Sequence, residues 1–535
     1  MKQAAFFTLL IIFLIYDPVF SQDTWNSYLN QVLNVPVESE RMKLLDDLMI
    51  QTGMQFPAYS RPITHKEWQR YINIIYDEYK NSMSPALKQK IEDYLPDFRF
   101  QDNWHFELYG RTVPEVVYST EGNRNYLTRY EKRSPLFRLN YEASRDTNFG
   151  FSIRVNVNNY QPVYTVTGNK TNIPKDPWED LDFRIFHKAY FSYQSPHAMI
   201  TLQLGRDNVS WGVGNKVTLL LSDNVPYYDM LKFALWFNEI KFSVIYASLT
   251  DYEPQNQFKG SYNDVSGLNK PEKNMLVQRV EYTLANKINF GISYMKIIYG
   301  RSPKLGDVNP LIYQHNLFKD YQNSLASADF SASVLPGVLL YGEIASDEIN
   351  FSGDVKKDGS DPTALSYQFG TRLYFADFFY KAEYVHIAPF MYNHFHYLGR
   401  AIEIDGVRYY GLPQRFVTAR AMGHYYQPDS RNYSFSIERL VNKYLRLGLS
   451  AERRNYGEIN LSTPFPAAGY KAKTSPSGIV EKAFITGFHA NYFTLRFLSD
   501  LNIYYSKYDN FKNVAGNNFN AWEFQFSFGY RFDLI

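Results

Sequence analysis

A chain of 535 residues without cysteine has no disulfide framework and no lipid-modified N-terminal cysteine, and 56 basic against 54 acidic side chains argue against nucleic acid as a partner. Aromatic residues make up 18% of it, yet mean hydropathy is −0.39, and past the first 21 residues no window approaches the roughly 18 uninterrupted apolar residues of a spanning helix. Aromatic richness without apolar blocks fits a transmembrane antiparallel β-barrel, whose residues alternate between lipid and lumen and whose aromatic girdles mark both interfaces.

Residues 1–21 read as a signal peptide: Lys2, an apolar run over 4–16, an Asp17-Pro18 break, then Val19 and Ser21 before the expected cleavage site. Residues 22–100 form a small periplasmic α-helical region. Thr64-His65-Lys66-Glu67 has the pattern of a capping box, with Glu67 reaching back to the cap. Trp68, Tyr71, Ile72, Ile75, Tyr76 and Tyr79 follow at spacings of three and four, which puts them on one face. Ser84-Pro85 opens another helix with Leu87, Ile91 and Leu95 along one side, and 38–50 places Met42, Leu45, Leu48 and Met49 similarly. Helices this short cannot bury their faces alone, so they are expected to pack on each other and on the periplasmic end of the barrel. Their role is a cap, a docking bundle or a folding support.

The barrel occupies 101–535. Phe149, Phe151, Ile153, Val155 and Val157 alternate with polar partners, as do Tyr433, Phe435, Ile437 and Leu445, Leu447, Leu449; in a strand such sets lie on opposite faces. Short turns are read at 145–148, 195–197, Asn238-Glu239, Asn286-Lys287, Pro336-Gly337, Ala376-Asp377, Asn442-Lys443 and Ser499-Asp500. Long polar segments lie between them, notably 161–182, 207–229, 251–274 and 389–431. About nine hairpins, hence about 18 strands, follow, with short turns in the periplasm and long loops outside.

Residues 205–233, GRDNVSWGVGNKVTLLLSDNVPYYDMLKF, stand apart. Glycines around Trp211 predict a tight, shaped loop, and the apolar 217–221 run would be costly in solvent, so the segment is expected to fold inward and constrict the lumen, or else to form a structural turn. Gly205, Arg206, Trp211, Gly212, Gly214, the Leu-Leu-Leu-Ser run 219–222, Asn224, Pro226, Asp229 and Lys232 resemble the signature segment of the capsule assembly Wzi family, with Val213 where that family prefers proline. The resemblance implies an outer-membrane barrel of a Gram-negative bacterium that binds capsular or related polysaccharide and helps hold it at the cell surface without breaking bonds.

Polysaccharide-binding or lumen-constricting candidates are Arg206, Trp211, Asn224, Asp229, Trp178, Arg408 and Tyr410, with Gly205, Gly212 and Gly214 as motif glycines. Flat aromatic faces suit sugar C–H surfaces, and guanidinium groups suit acidic ones. Loop tyrosines such as Tyr425 and Tyr426 belong to the same class, although most of the 46 tyrosines in the chain are expected to serve as girdle. No metal, cofactor or catalytic constellation is read: His394-x-His396 lacks a third ligand, and no Gly-x-Ser-x-Gly elbow occurs. The last strand, with Phe524, Phe526, Phe528, Tyr530 and Phe532 on one face, resembles the signal read by the barrel assembly machinery. Surface lectin and porin-type channel both remain open at this point, and an outer-membrane enzyme is unsupported.

Overall fold

The computed structural model describes residues 32–94, 104–121, 135–145, 148–159, 169–173, 181–195, 199–215, 217–225, 227–249, 273–299, 303–309, 322–347, 364–395, 402–404, 406–411, 416–461, 463, 474–494 and 496–534. The expected signal peptide lies outside them. The wall begins with β1 (Trp104–Thr112), β2 (Phe137–Arg145), β3 (Phe149–Asn159), β4 (Leu181–Gln194), β5 (Ile200–Asp207) and β6 (Tyr228–Phe237). It continues through β7 (Ile240–Leu249), β8 (Lys273–Leu284), β9 (Ile288–Tyr299), β10 (Gln322–Leu335), β11 (Val338–Ser346) and β12 (Leu365–Phe375). It ends with β13 (Phe378–Ile387), β14 (Ser430–Leu440), β15 (Leu445–Tyr456), β16 (Glu481–Phe493), β17 (Phe497–Asp509) and β18 (Phe519–Asp533).

Each strand pairs antiparallel with the next, and β18 returns to β1 from Tyr109↔Asp533 to Thr112↔Tyr530, closing an 18-stranded barrel. Pro114 brings no N–H to the ladder and breaks the first strand, after which Glu115–Ser119 resumes pairing with β18. On β18, Trp522, Phe524, Phe528 and Tyr530 are exposed outward while Ala521, Glu523, Gln525 and Ser527 are buried. Leu204, Ile292, Phe375 and Leu449 add to the exposed apolar band, which only lipid would cover.

The turn between β12 and β13 is Ala376-Asp377, both at positive φ (49° and 65°), the geometry whose twist matches a two-residue hairpin. One predicted turn is corrected. Ser499-Asp500 lies inside β17, and the chain reverses between β16 and β17, where Thr494 Oγ1 accepts from Phe497 N at 2.8 Å. Asp500 is polar because it faces the lumen, where it accepts from Asn491 Nδ2 at 2.8 Å.

The N-terminal helices are α1 (Glu40–Thr52), α2 (His65–Tyr79) and α3 (Pro85–Tyr94). Thr64 caps α2 by accepting from Glu67 N at 3.2 Å. The reciprocal half of the expected box does not form. Glu67 instead meets Lys241 of β7 at 2.5 Å and accepts from Tyr71 Oη at 2.9 Å, because an opposite charge on the wall outweighs one amide. The apolar helix faces form one core with Trp236, Leu339, Tyr341, Phe379 and Leu440 of the wall. Backbone bonds at the short-turn end fix the dock: Gln55 N donates to Asn286 O at 2.7 Å and Gly337 N to Ile50 O at 2.9 Å. Arg446 of β15 pairs with Asp47 of α1 in the same region. None of these helices is long and apolar enough to cross a membrane.

His65, at the start of α2, is buried, and its Nδ1 has no partner among the described residues. Burial first, then the positive fields of Arg41 and Lys188, hold its imidazole well below the usual range. A base whose folded pKa is depressed stabilises the fold above its unfolded value, near 6.5, and that stability is lost as pH falls. Amide exchange along α2, corrected for intrinsic rate, is therefore expected to quicken between about pH 7 and 5, by at most about 1.4 kcal/mol of opening free energy per pH unit. His65→Leu should flatten that dependence; a parent already flat would refute it.

Candidate functional site

Between β5 and β6 the chain leaves the wall and crosses the lumen. Trp211 pairs with Ser60 and Ser210 with Arg61, so the segment forms a small sheet with the chain that joins α1 to α2. Gly212 N donates to Tyr59 O at 3.0 Å, and Trp211 N to Leu221 O at 2.8 Å, which folds the loop back on itself. The N-terminal region and the Gly/Trp segment are thus one plug.

Three wall strands grip this plug through lumen-facing polar groups. Glu343 of β11 accepts from Leu219 N at 3.0 Å and from Gln368 of β12 at 2.7 Å; Gln368 also donates to Val213 O at 2.7 Å. Arg372 donates to Gly214 O, and Glu383 of β13 accepts from Asn215 N at 2.7 Å. A Cβ on Gly214 would lie 2.3 Å from Val217 O, so the close approach excludes any larger residue. A polar cavity of about 360 Å³ remains between α1 and this loop, lined by Asp46, Arg61, Asn215, Arg372 and Lys381 among others.

The segment joins two apolar cores. Val213 belongs to the core built on the helices. Val209, Trp211, Leu219, Leu220, Leu221 and Val225 pack instead with Ile245, Met275, Ile297 and Leu325 of the wall and with Met391, Tyr392 and Met422 of the loop after β13. That loop is tied to the plug by backbone and side chain: Tyr392 Oη donates to Leu219 O at 2.6 Å, Ser222 Oγ to Gly423 O at 2.5 Å, and Asn224 Nδ2 to Ala421 O at 2.8 Å. Beyond it, at the long-loop rim, His424, Tyr425 and Tyr426 have ring centroids 4.5–4.9 Å apart. Glu452 accepts from Tyr426 Oη and is gripped by Arg454 at 2.9 and 3.1 Å. Tyr425, Tyr456 and Arg454 stay partly exposed there, two flat rings beside a guanidinium.

The sequence candidates fall into separate places. Trp211 is fully buried, its ring in the apolar core and its Nε1 without a partner among the described residues, so its side chain serves the packing of the plug. Arg206 and Asp229 do not constrict the lumen. Along β5 the inward positions are Gln203, Gly205 and Asp207, which leaves Arg206 outside with Leu202 and Leu204. There it forms a bidentate pair with Asp229, both bonds 2.7 Å, with its guanidinium 4.0 Å from the centre of the Tyr227 ring. Gly205, at φ 126°, sits where a Cβ would meet Ala189 O at 2.3 Å. Gly212 passes Glu343, whose carboxylate a Cβ would approach to 3.1 Å. Asn224 holds the turn to Ala421. Arg408 and Tyr410 lie on Gly406–Gly411, paired with Phe416–Ala421, and the structure describes only their backbone. Trp178 and His396 lie outside the described residues.

Sequence reading missed Glu343, Gln368 and Glu383. The available signal was parity: each occupies an inward position on its strand.

A family model described as capsule assembly protein Wzi matches residues 118–511. The chain belongs to that family. Among solved structures, Wzi of Escherichia coli, an outer-membrane protein involved in group 1 capsule assembly and a carbohydrate-binding β-barrel, superposes with a TM-score of 0.57 at 13% identity, covering 92% of this chain and 98% of that one. That likeness establishes a shared Wzi-type barrel. OprD of Pseudomonas aeruginosa reaches only 0.43 at 8% identity over 82% of this chain and 97% of its own, too distant to carry an argument. No curated protein matches the sequence significantly.

Proposed function

We propose that this Wzi-family barrel sits in the outer membrane, binds surface polysaccharide at its long-loop end and helps attach or assemble it there, without breaking covalent bonds. Residues 1–21 are the export signal, 22–100 the periplasmic region and 101–535 the barrel. The outward aromatic face of β18 meets lipid and serves as the mark for the barrel assembly machinery.

One observation carries the reading: the plug runs unbroken from the helices through Trp211 and Leu219 to the loop carrying Tyr425 and Tyr426. A free-diffusion channel has no use for that continuity. A binding barrel does, because a rim loop braced from inside presents its rings without losing much order on binding. Tyr425, Tyr456 and Arg454 offer the rings and charge for sugar contact, while Trp178, Arg408 and Tyr410 are further proposed contacts on residue type. Arg206 and Asp229, with Tyr227, would act on the outer side of the rim.

Binding of the detergent-folded protein to the host's surface polysaccharide, with planar-bilayer conductance on the same preparation, tests this. Saturable binding and silent bilayers are expected, with affinity falling about tenfold in a Tyr425→Ala/Tyr456→Ala variant, since each lost stacking contact is worth roughly 0.5–1.5 kcal/mol. A steady open conductance with no binding would put the porin reading in its place.

A further inference from the structure

Several charged side chains on the lumen wall are neutralised where they stand. Arg279 meets Asp329 at 2.5 Å, Arg454 meets Glu452 at 2.9 Å and Lys241 meets Glu67 at 2.5 Å. One sector departs from this. Register sets Arg531 of β18 directly across from Arg111 of β1, and Arg111 directly across from Arg138 of β2. On β3, Asn156 stands opposite Arg138, and Arg154, two residues away on the same face, stands opposite Asn140. All four arginines point inward, because the positions of opposite parity on these strands, Phe106, Phe137, Phe149 and Phe528, form the outer face.

Like charges directly opposite one another destabilise a sheet. Here the relief is partial: Glu38 adds a longer-range negative field at Arg138, and the Arg111 guanidinium lies 5.9 Å from the centre of the Phe493 ring. Arg138 donates to the Asn156 amide oxygen at 3.3 Å and Arg154 to that of Asn140 at 2.8 Å, and neither bond cancels charge. Among the described residues no carboxylate lies within the 4.0 Å of an ion pair from Arg111, Arg138 or Arg154. Arg531 has Asp533 at 3.0 Å and lies 3.8 Å from the centre of the Tyr109 ring. The inward carboxylates of β1 and β2, Glu107 and Glu142, oppose each other in a separate row, where Glu142 accepts from Ser152 at 3.3 Å.

We propose that this arginine row is a lumenal cradle for the carboxylate groups of an acidic oligosaccharide. Planar guanidinium groups match carboxylates with paired bonds, while the buried amides of Asn140 and Asn156 hold Arg154 and Arg138 in place from behind. A neutral glycan would leave the row uncompensated. The proposal deepens the polysaccharide reading, on which it rests for the glycan half of its ligand, and places a second contact inside the barrel, separate from the rim.

Titration calorimetry of the full detergent-folded chain with a short oligogalacturonate, a neutral malto-oligosaccharide and inorganic phosphate tests it. The parent should bind the oligogalacturonate in preference to the other two, more weakly as salt rises, and Arg111→Gln/Arg138→Gln should lose about tenfold in affinity or more. Without ligand the same variant should unfold at a higher temperature than the parent, because repulsion has been removed; a purely structural role would lower it. Arg154→Gln provides a second variant should the double one fail to assemble. Equal oligogalacturonate affinity in parent and variants overturns the cradle while leaving rim binding of the host polysaccharide untouched. Phosphate displacing the oligosaccharide as effectively as a carboxylate sugar overturns the saccharide assignment in favour of a bare anion site.

Discussion

Trp211→Ala is expected to unlock the plug and admit ions to a barrel that otherwise stays assembled. The indole is fully buried in the upper core, packed with the Leu219, Leu220 and Leu221 run and the loop after β13, so removing it leaves a void that rigid wall strands cannot fill. Truncating a buried tryptophan typically costs about 3–5 kcal/mol. That cost falls on the segment that crosses the lumen, because the ladders of the wall do not pass through Trp211. Its main-chain bonds to Leu221 and its pairing with Ser60 survive, so the loop should loosen rather than leave. Single-channel recordings should then show conductance steps absent from the parent, with the heat resistance of the folded barrel little changed. Trp211→Phe is the control: it restores much of the volume and removes an indole N–H that lacks a partner among the described residues, so it should stay closed. A silent Trp211→Ala variant would mean that the plug does not depend on this packing.

The barrel was legible because lipid outside and water inside impose a period of two, and Phe524, Phe526 and Phe528 follow it without exception. The same rule explains the misreadings. Asp500 resembled a turn residue because a lumen-facing acid and a turn acid look alike in sequence, and only its pairing with Asn491 tells them apart. The motif makes Arg206 a polysaccharide-binding or lumen-constricting candidate, and its parity with Leu202 and Leu204 decides against the lumen by putting it on the outer face. The inward course of the chain between β5 and β6 could be foreseen from the cost of exposing Leu219, Leu220 and Leu221. Its partners could not. Glu343 and Tyr392 meet Leu219 across more than a hundred residues of chain, and such contacts exist only once the cylinder closes. The capping signal at Thr64 was local and held, whereas the role of Glu67 was decided by Lys241 on a distant strand.

Arg279→Met should lower the heat resistance of the whole barrel more than any change at the rim. Arg279 is fully buried on the lumen face of β8, with Asp329 of β10 at 2.5 and 2.9 Å, Ser293 at 2.9 Å and Glu281 at 3.4 Å. Glycine at 291, on the intervening strand, makes room for it: a Cβ there would lie 2.2 Å from the guanidinium. Methionine matches the stem but not the charge, and leaves the carboxylates of Asp329 and Glu281 buried without their counter-ion. Breaking a buried pair from one side costs about 3–5 kcal/mol, because the remaining charge keeps its desolvation penalty and loses its counter-ion. Glu281 also accepts from Tyr59 N at 3.0 Å, so the loss reaches the chain that threads the lumen as well as the wall. Arg279→Met/Asp329→Leu removes one of the stranded acids and should recover much of the deficit, since replacing both partners by apolar groups is often close to neutral. The temperature at which the compact electrophoretic form is lost in detergent measures each variant. Equal temperatures for the parent and Arg279→Met would show that the stranded acids take up a proton at little cost, and that the arginine braces neither wall nor plug.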